Sequence, residues 1–172
     1  MKRAADIIAI AGLALGGSLG MLGTFVAERR VQALCWEVDG VGLIVATALL
    51  ALRFFRLERE VVAAGFLVFS IGEAVMLPGT AMSLADSVPS FAAGAALWAA
   101  ALLLTSIPRE FAGWARAVGV VGAILFAVTL SRIFAGAQLL PTSSPLPFYA
   151  FPFLVFTLIG WIWRLLQPDP AV

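Results

Sequence analysis

Glu73 is the residue of this chain best placed to do chemistry. It stands deep in an apolar run, inside the stretch Phe69-Ser70-Ile71-Gly72-Glu73-Ala74-Val75-Met76. A carboxylate in lipid is costly, and it is kept where it holds a proton, meets an opposite charge or faces water. Arg132 is the candidate partner, following Thr129 and Ser131 near the end of another apolar run. Two roles stand open for this candidate intramembrane polar site. As one buried ion pair it would set helix register, giving little net stability yet being costly to break from one side. As a pocket it would hold a polar ligand or a proton. Arg29, Arg30, Glu37 and Asp39 form a second, outer-face polar cluster on the same side as Arg132.

Composition excludes most other chemistries. The chain has no histidine, so histidine-ligated haem or metal and any Ser-His or Cys-His nucleophile are ruled out. One cysteine, Cys35, makes neither a thiolate cluster nor an internal disulfide, and beside Trp36 it reads as an inert thiol. The single lysine is Lys2, so no intramembrane Schiff base can form. A Gly-x-x-x-x-Gly-Lys phosphate loop is missing as well. The expectation is a protein without enzymatic activity, cofactor or metal. Trp98 and the aromatic set Phe148, Tyr149, Phe151, Phe153 and Phe156 either line a quinone or lipid site or pack plainly.

The elements that must position these residues are membrane helices. Of 172 residues, 62% are hydrophobic and 12% charged, and the mean hydropathy is +1.05. Soluble domains are about 45–50% apolar and about 25% charged. A net charge of +1 offers no footprint for nucleic acid. The apolar runs predict six spans, at 6–27, 40–55, 61–80, 88–107, 115–135 and 147–166. The second could start as early as Val31, drawing Glu37 and Asp39 into the membrane edge. Charge runs or helix-breaking clusters separate them, such as Glu28-Arg29-Arg30 and Pro78-Gly79. At about 20 residues per span, no room is left for a soluble domain. The predicted fold is all-α: one polytopic domain over 1–172, a bundle of six transmembrane helices.

Orientation follows from Lys and Arg. Lys2, Arg3, Arg53, Arg56, Arg59, Arg109, Arg116 and Arg164 fall on one side, and Arg29, Arg30 and Arg132 on the other. Both termini are thus expected in the cytoplasm. Trp114, Trp161 and Trp163 fall at the inner boundary, with Trp36 and Tyr149 at the outer one. The first span follows Lys2-Arg3, but its apolar length exceeds a signal peptide's h-region, so it reads as an uncleaved helix. Glu73 then lies just past the midplane, in the outer half. The inner half is greasy, with Phe66, Trp98 and Phe126 near the middle or below it.

Small residues mark the packing faces. Gly12, Gly16 and Gly20 recur every fourth residue, and Gly119 and Ala123 lead a similar stripe in the fifth span. Such stripes let backbones approach closely where lipid offers no hydrophobic drive between helices. They serve contacts within one chain, or the first joins a membrane-protein partner or a second copy. Pro152 inside the sixth span predicts a kink. Laying Gly40 onto Gly119 also aligns Val41, Ala48, Arg53 and Phe55 with Val120, Ala127, Arg132 and Phe134. Two three-span halves related this way would form an inverted repeat.

Residues 90–165 carry a further pattern: Ser106-Ile107-Pro108-Arg109, Gly113-Trp114, glycines at 119 and 122, and a last helix ending in Trp161-Ile162-Trp163-Arg164. In this pattern the chain resembles uncharacterised bacterial multi-pass membrane proteins. The resemblance implies a multi-pass protein of a bacterial inner membrane, and brings no activity or site residue with it. Two functions fit the residues. One is binding a partner protein or small ligand within the bilayer. The other is a small secondary transporter or channel with its site around Glu73 and Arg132.

Overall fold

The computed structural model describes residues 4–167. Six α-helices account for most of them: α1 (Ala4–Phe25), α2 (Arg29–Arg56), α3 (Glu60–Met76), α4 (Val88–Ser106), α5 (Gly113–Phe134) and α6 (Ala150–Leu166). Among the described residues there is no strand. The first five, with α3 extended by the 3-10 turn Leu77–Ala81, are long and apolar enough to cross a membrane. α6 is apolar but has 17 residues, the lower limit for a span. The chain is a multi-pass membrane protein.

Each helix packs on its neighbours in sequence, and α6 returns to pack on α1, so the six form a closed ring. The α1–α2, α3–α4 and α5–α6 connections lie at one end of the ring, the distal end, and the start of α1 and the end of α6 at the other, the proximal end.

α2 starts at Arg29, well before the expected 40 and close to the alternative start at Val31. The Glu28 side chain accepts hydrogen bonds from the backbone N–H of Arg30 at 3.0 Å and Val31 at 2.8 Å. The charges that looked like a break are therefore an N-cap, which satisfies two orphan donors of the first turn. From there a buried face runs through Gln32, Gly40, Leu43, Ala46, Leu50 and Phe54. Pro78 ends α3 differently: the chain tightens into the 3-10 turn with Pro at its start.

α6 starts at Ala150, after the expected 147, and this changes the role of Pro152. The proline lies in the first helical turn, where its missing N–H would have no intrahelical partner. The expected mid-span kink therefore has no cause at this position.

The small-residue stripe of α1 packs against α2. A Cβ on Gly12 would stand 2.5 Å from the Gly42 carbonyl oxygen and 2.9 Å from Ala46 Cβ. Gly16 faces the Leu43 side chain, and Gly23 faces the Trp36 indole. In the second stripe Gly119 faces Ser106 Oγ on α4, and Ala123 is buried.

Large aromatic side chains fill the centre of the ring over its proximal half and middle. Trp161 of α6 meets Phe66 of α3 edge-on at 4.7 Å, and Phe69 at 5.6 Å. Phe66 stacks on Phe54 at 5.5 Å, and Phe111 closes the group at 5.7 Å from Phe54. Higher up, Trp98 stacks on Phe69 at 5.7 Å and meets Phe126 at 5.2 Å. Trp161, near the proximal end of α6, is 1% exposed and so packs in the core. Trp114 and Trp163 are exposed.

Candidate functional site

Above Trp98 the ring centre is left open. A cavity of about 100 Å³ lies between α1, α2, α3, α4 and α6 and the loop at Pro141. That is room for roughly three waters. It reaches from the distal connections at Gly79 and Thr80 down to Trp98 and Leu158. α5 contributes no lining residue, so the two halves of the chain are unequal here.

Two carboxyl groups line the cavity, Asp39 from α2 and Glu73 from α3. Glu73 is 4% exposed. Helix geometry explains its depth: thirteen residues after Glu60, it sits about 20 Å up from the proximal start of α3. Glu73 Oε2 lies 3.8 Å from where a Cβ on Gly40, the neighbour of Asp39, would stand. Asp39 and Glu73 thus reach the same space from neighbouring helices. Glu73 Oε1 and Asp39 Oδ1 are both enclosed and accept no hydrogen bond. The indole N–H of Trp98, which lines the same cavity, has no hydrogen-bond partner either. Three polar groups thus converge on one space with their bonding capacity unused, a costly arrangement for burial.

Asp39 is there because α1 leaves room for it. A Cβ on Gly20 would stand 2.6 Å from Asp39 Oδ2, and one on Gly16 would stand 3.1 Å from Oδ1. The rest of the lining is apolar, aromatic or hydroxylic, and includes no Arg or Lys. The hydroxyl protons are already committed to nearby carbonyls. Thr24 donates to Met21 O at 2.7 Å, Ser87 to Leu84 O at 2.9 Å and Ser90 to Ser87 O at 2.9 Å.

The residues singled out from the sequence separate. Arg132 is exposed and lines a surface hollow on α5 with Ser131 and Gly136. The structure does not bring it to Glu73, and no ion pair joins them among the described residues. Arg29 sits at the cavity rim, donating to Thr80 O at 2.9 Å and Met82 O at 2.6 Å, with its guanidinium over Trp36 at 5.7 Å. Glu37 is exposed at the same rim and accepts from Thr80 Oγ1 at 3.3 Å. Arg30 is exposed and does not line the cavity. Only Asp39 of the four turns inward. Of the aromatic set on the sixth span, Phe151 lines the cavity, whereas Tyr149 and Phe156 are exposed.

Sequence reasoning missed two participants. Gln32 is buried and ties the helix ends together, donating to Gly23 O at 3.1 Å and Val26 O at 3.4 Å. The Trp98 indole N–H was not recognised as a polar group of the site. For Gln32 and for the inward turn of Asp39 the signal was present. Gln32, Trp36, Asp39, Leu43, Ala46 and Leu50 follow one another by alternating steps of four and three, the spacing of one helix face. No protein-family model, curated protein or solved structure matches the chain.

Proposed function

We propose that the chain is a non-enzymatic integral membrane protein of a bacterial inner membrane that binds a small ligand in the distal cavity. The distal side is the outward one on the Lys/Arg asymmetry. The observation that carries this reading is the pair of carboxyls lining the cavity, buried Glu73 and half-buried Asp39, each with one enclosed oxygen that accepts no hydrogen bond, where the lining includes no Arg or Lys. A structural ion pair would bring its own opposite charge; this pair brings none. The α1 glycine stripe is filled by α2, so the support falls on a small ligand rather than on a second chain at that face.

A secondary transporter is the second reading. The cavity ends on Trp98, and below it the aromatic group from Phe69 to Phe54 closes the ring centre. A site blocked toward one side fits one half of an alternating-access cycle.

Native mass spectrometry of protein gently extracted from its membrane tests the binding reading. The expected result is a retained small molecule on the wild type that is absent from Glu73→Gln. A bare chain in both would overturn it.

A further inference from the structure

We propose that the cavity takes a small organic ammonium ion; this rests on the ligand-binding reading above. The sign comes first. Asp39 Oδ1 and Glu73 Oε1 are enclosed and unpartnered, and the lining holds no Arg or Lys. Buried charge without a partner is too costly to keep, so each acid either holds its proton or meets a cation. With no Arg or Lys in the lining, that cation would be the occupant, and the uncharged competitor below separates the two cases.

The kind of cation follows from the remaining walls. A hard metal ion wants six or more oxygen ligands at short range. Here the walls beyond the two carboxyls carry the hydroxyls of Thr24, Thr80, Ser87 and Ser90 near the distal rim, and are otherwise mainly glycine faces, aliphatic side chains and aromatic rings, so sodium is the metal-ion competitor in the test below. Among the described residues no group of three or more His, Cys, Asp or Glu could hold a metal. Trp98, Phe91 and Phe151 all line the space. Aromatic walls beside carboxylates suit an alkylated ammonium, which is weakly hydrated and attracted to ring faces. Trp98 is fixed for this role, being 7% exposed and stacked on Phe69 with their planes 13° apart. The cavity of about 100 Å³ matches a head group of a few heavy atoms.

Equilibrium dialysis of purified protein against labelled tetramethylammonium and choline tests this. Unlabelled competitors are 3,3-dimethylbutan-1-ol, the uncharged carbon analogue of choline, and sodium chloride. Saturable binding is expected for at least one ammonium probe, displaced by neither competitor. Asp39→Asn and Glu73→Gln should each weaken it by about tenfold or more, as loss of a desolvated charge contact predicts. Trp98→Leu should weaken it while Trp98→Phe keeps most of it, which a merely space-filling role would not separate. Displacement by the alcohol would overturn the charge requirement, and displacement by sodium would overturn the organic cation. No binding of either probe would overturn the proposal, and the wild-type competition stands even if a variant fails to fold. If native mass spectrometry still finds a neutral or anionic molecule dependent on Glu73, the binding reading holds and the ammonium assignment alone falls.

Discussion

Asp39 occupies the space that Gly20 leaves empty, its Oδ2 standing 2.6 Å from where a Cβ on residue 20 would be. A glycine on one helix thus makes the seat for a carboxyl on the next. Gly20→Ala should push Asp39 out of that seat. The cost expected for overpacking is roughly 1–3 kcal/mol, read as a lowered thermal midpoint in detergent. Gly17→Ala is the control, since its added Cβ would meet Leu158 at an ordinary 3.4 Å. Equal shifts for the two would show that Asp39 is not held by Gly20.

Glu73 should be energetically linked to Asp39 and independent of Arg132. Both acids face one cavity, whereas Arg132 is exposed on α5. Residues in direct interaction show cycle energies of roughly 0.5–3 kcal/mol, and remote residues add. Double-mutant cycles on thermal stability with Asp39→Asn, Glu73→Gln and Arg132→Gln measure both pairs. An interaction energy for Glu73 with Arg132 and none with Asp39 would contradict the placement.

The class of fold was legible because apolar runs and breaks are long-range statistical features. Five of the six expected spans match observed helices to within three residues at each end, α3 being taken with its 3-10 turn, within the usual error of boundaries read from sequence. α2 was shortened because Glu37 and Asp39 were weighed as charges, not as positions on a helix face. Glu73 was legible because one acid in an apolar run stands out in any reading. Its partner was not, since composition says which charges exist and only helix rotation says which face each other. Arg132 was chosen for its opposite sign. The ring order places Asp39 there instead, a residue of the same sign, and that reversal removes the ion pair expected from the sequence.

The two tryptophans near the end of α6 should behave oppositely. Trp161 is 1% exposed and in ring contact with Phe66, Phe69 and Phe111. Trp163 is 54% exposed. Truncating a buried Trp to Ala costs roughly 3–5 kcal/mol, so Trp161→Ala should lower the thermal midpoint sharply or prevent folding. Trp163→Ala should leave it nearly unchanged. Similar losses for both would mean that Trp161 is not the centre of the aromatic plug.

Orientation is testable by labelling, because the chain has only one cysteine to remove. Ala85 is exposed in the distal α3–α4 connection, and Glu58 is exposed in the proximal α2–α3 turn. Neither is a Lys or Arg, so replacing them leaves untouched the residues that set orientation. In a Cys35→Ser background, Ala85→Cys should react with a membrane-impermeant maleimide added to intact spheroplasts. Glu58→Cys should react only after the membrane is opened. The reverse pattern would put the cavity on the cytoplasmic side. The acids at Asp39 and Glu73 would then meet ligand from within the cell, and the Lys/Arg asymmetry would have given the wrong sign.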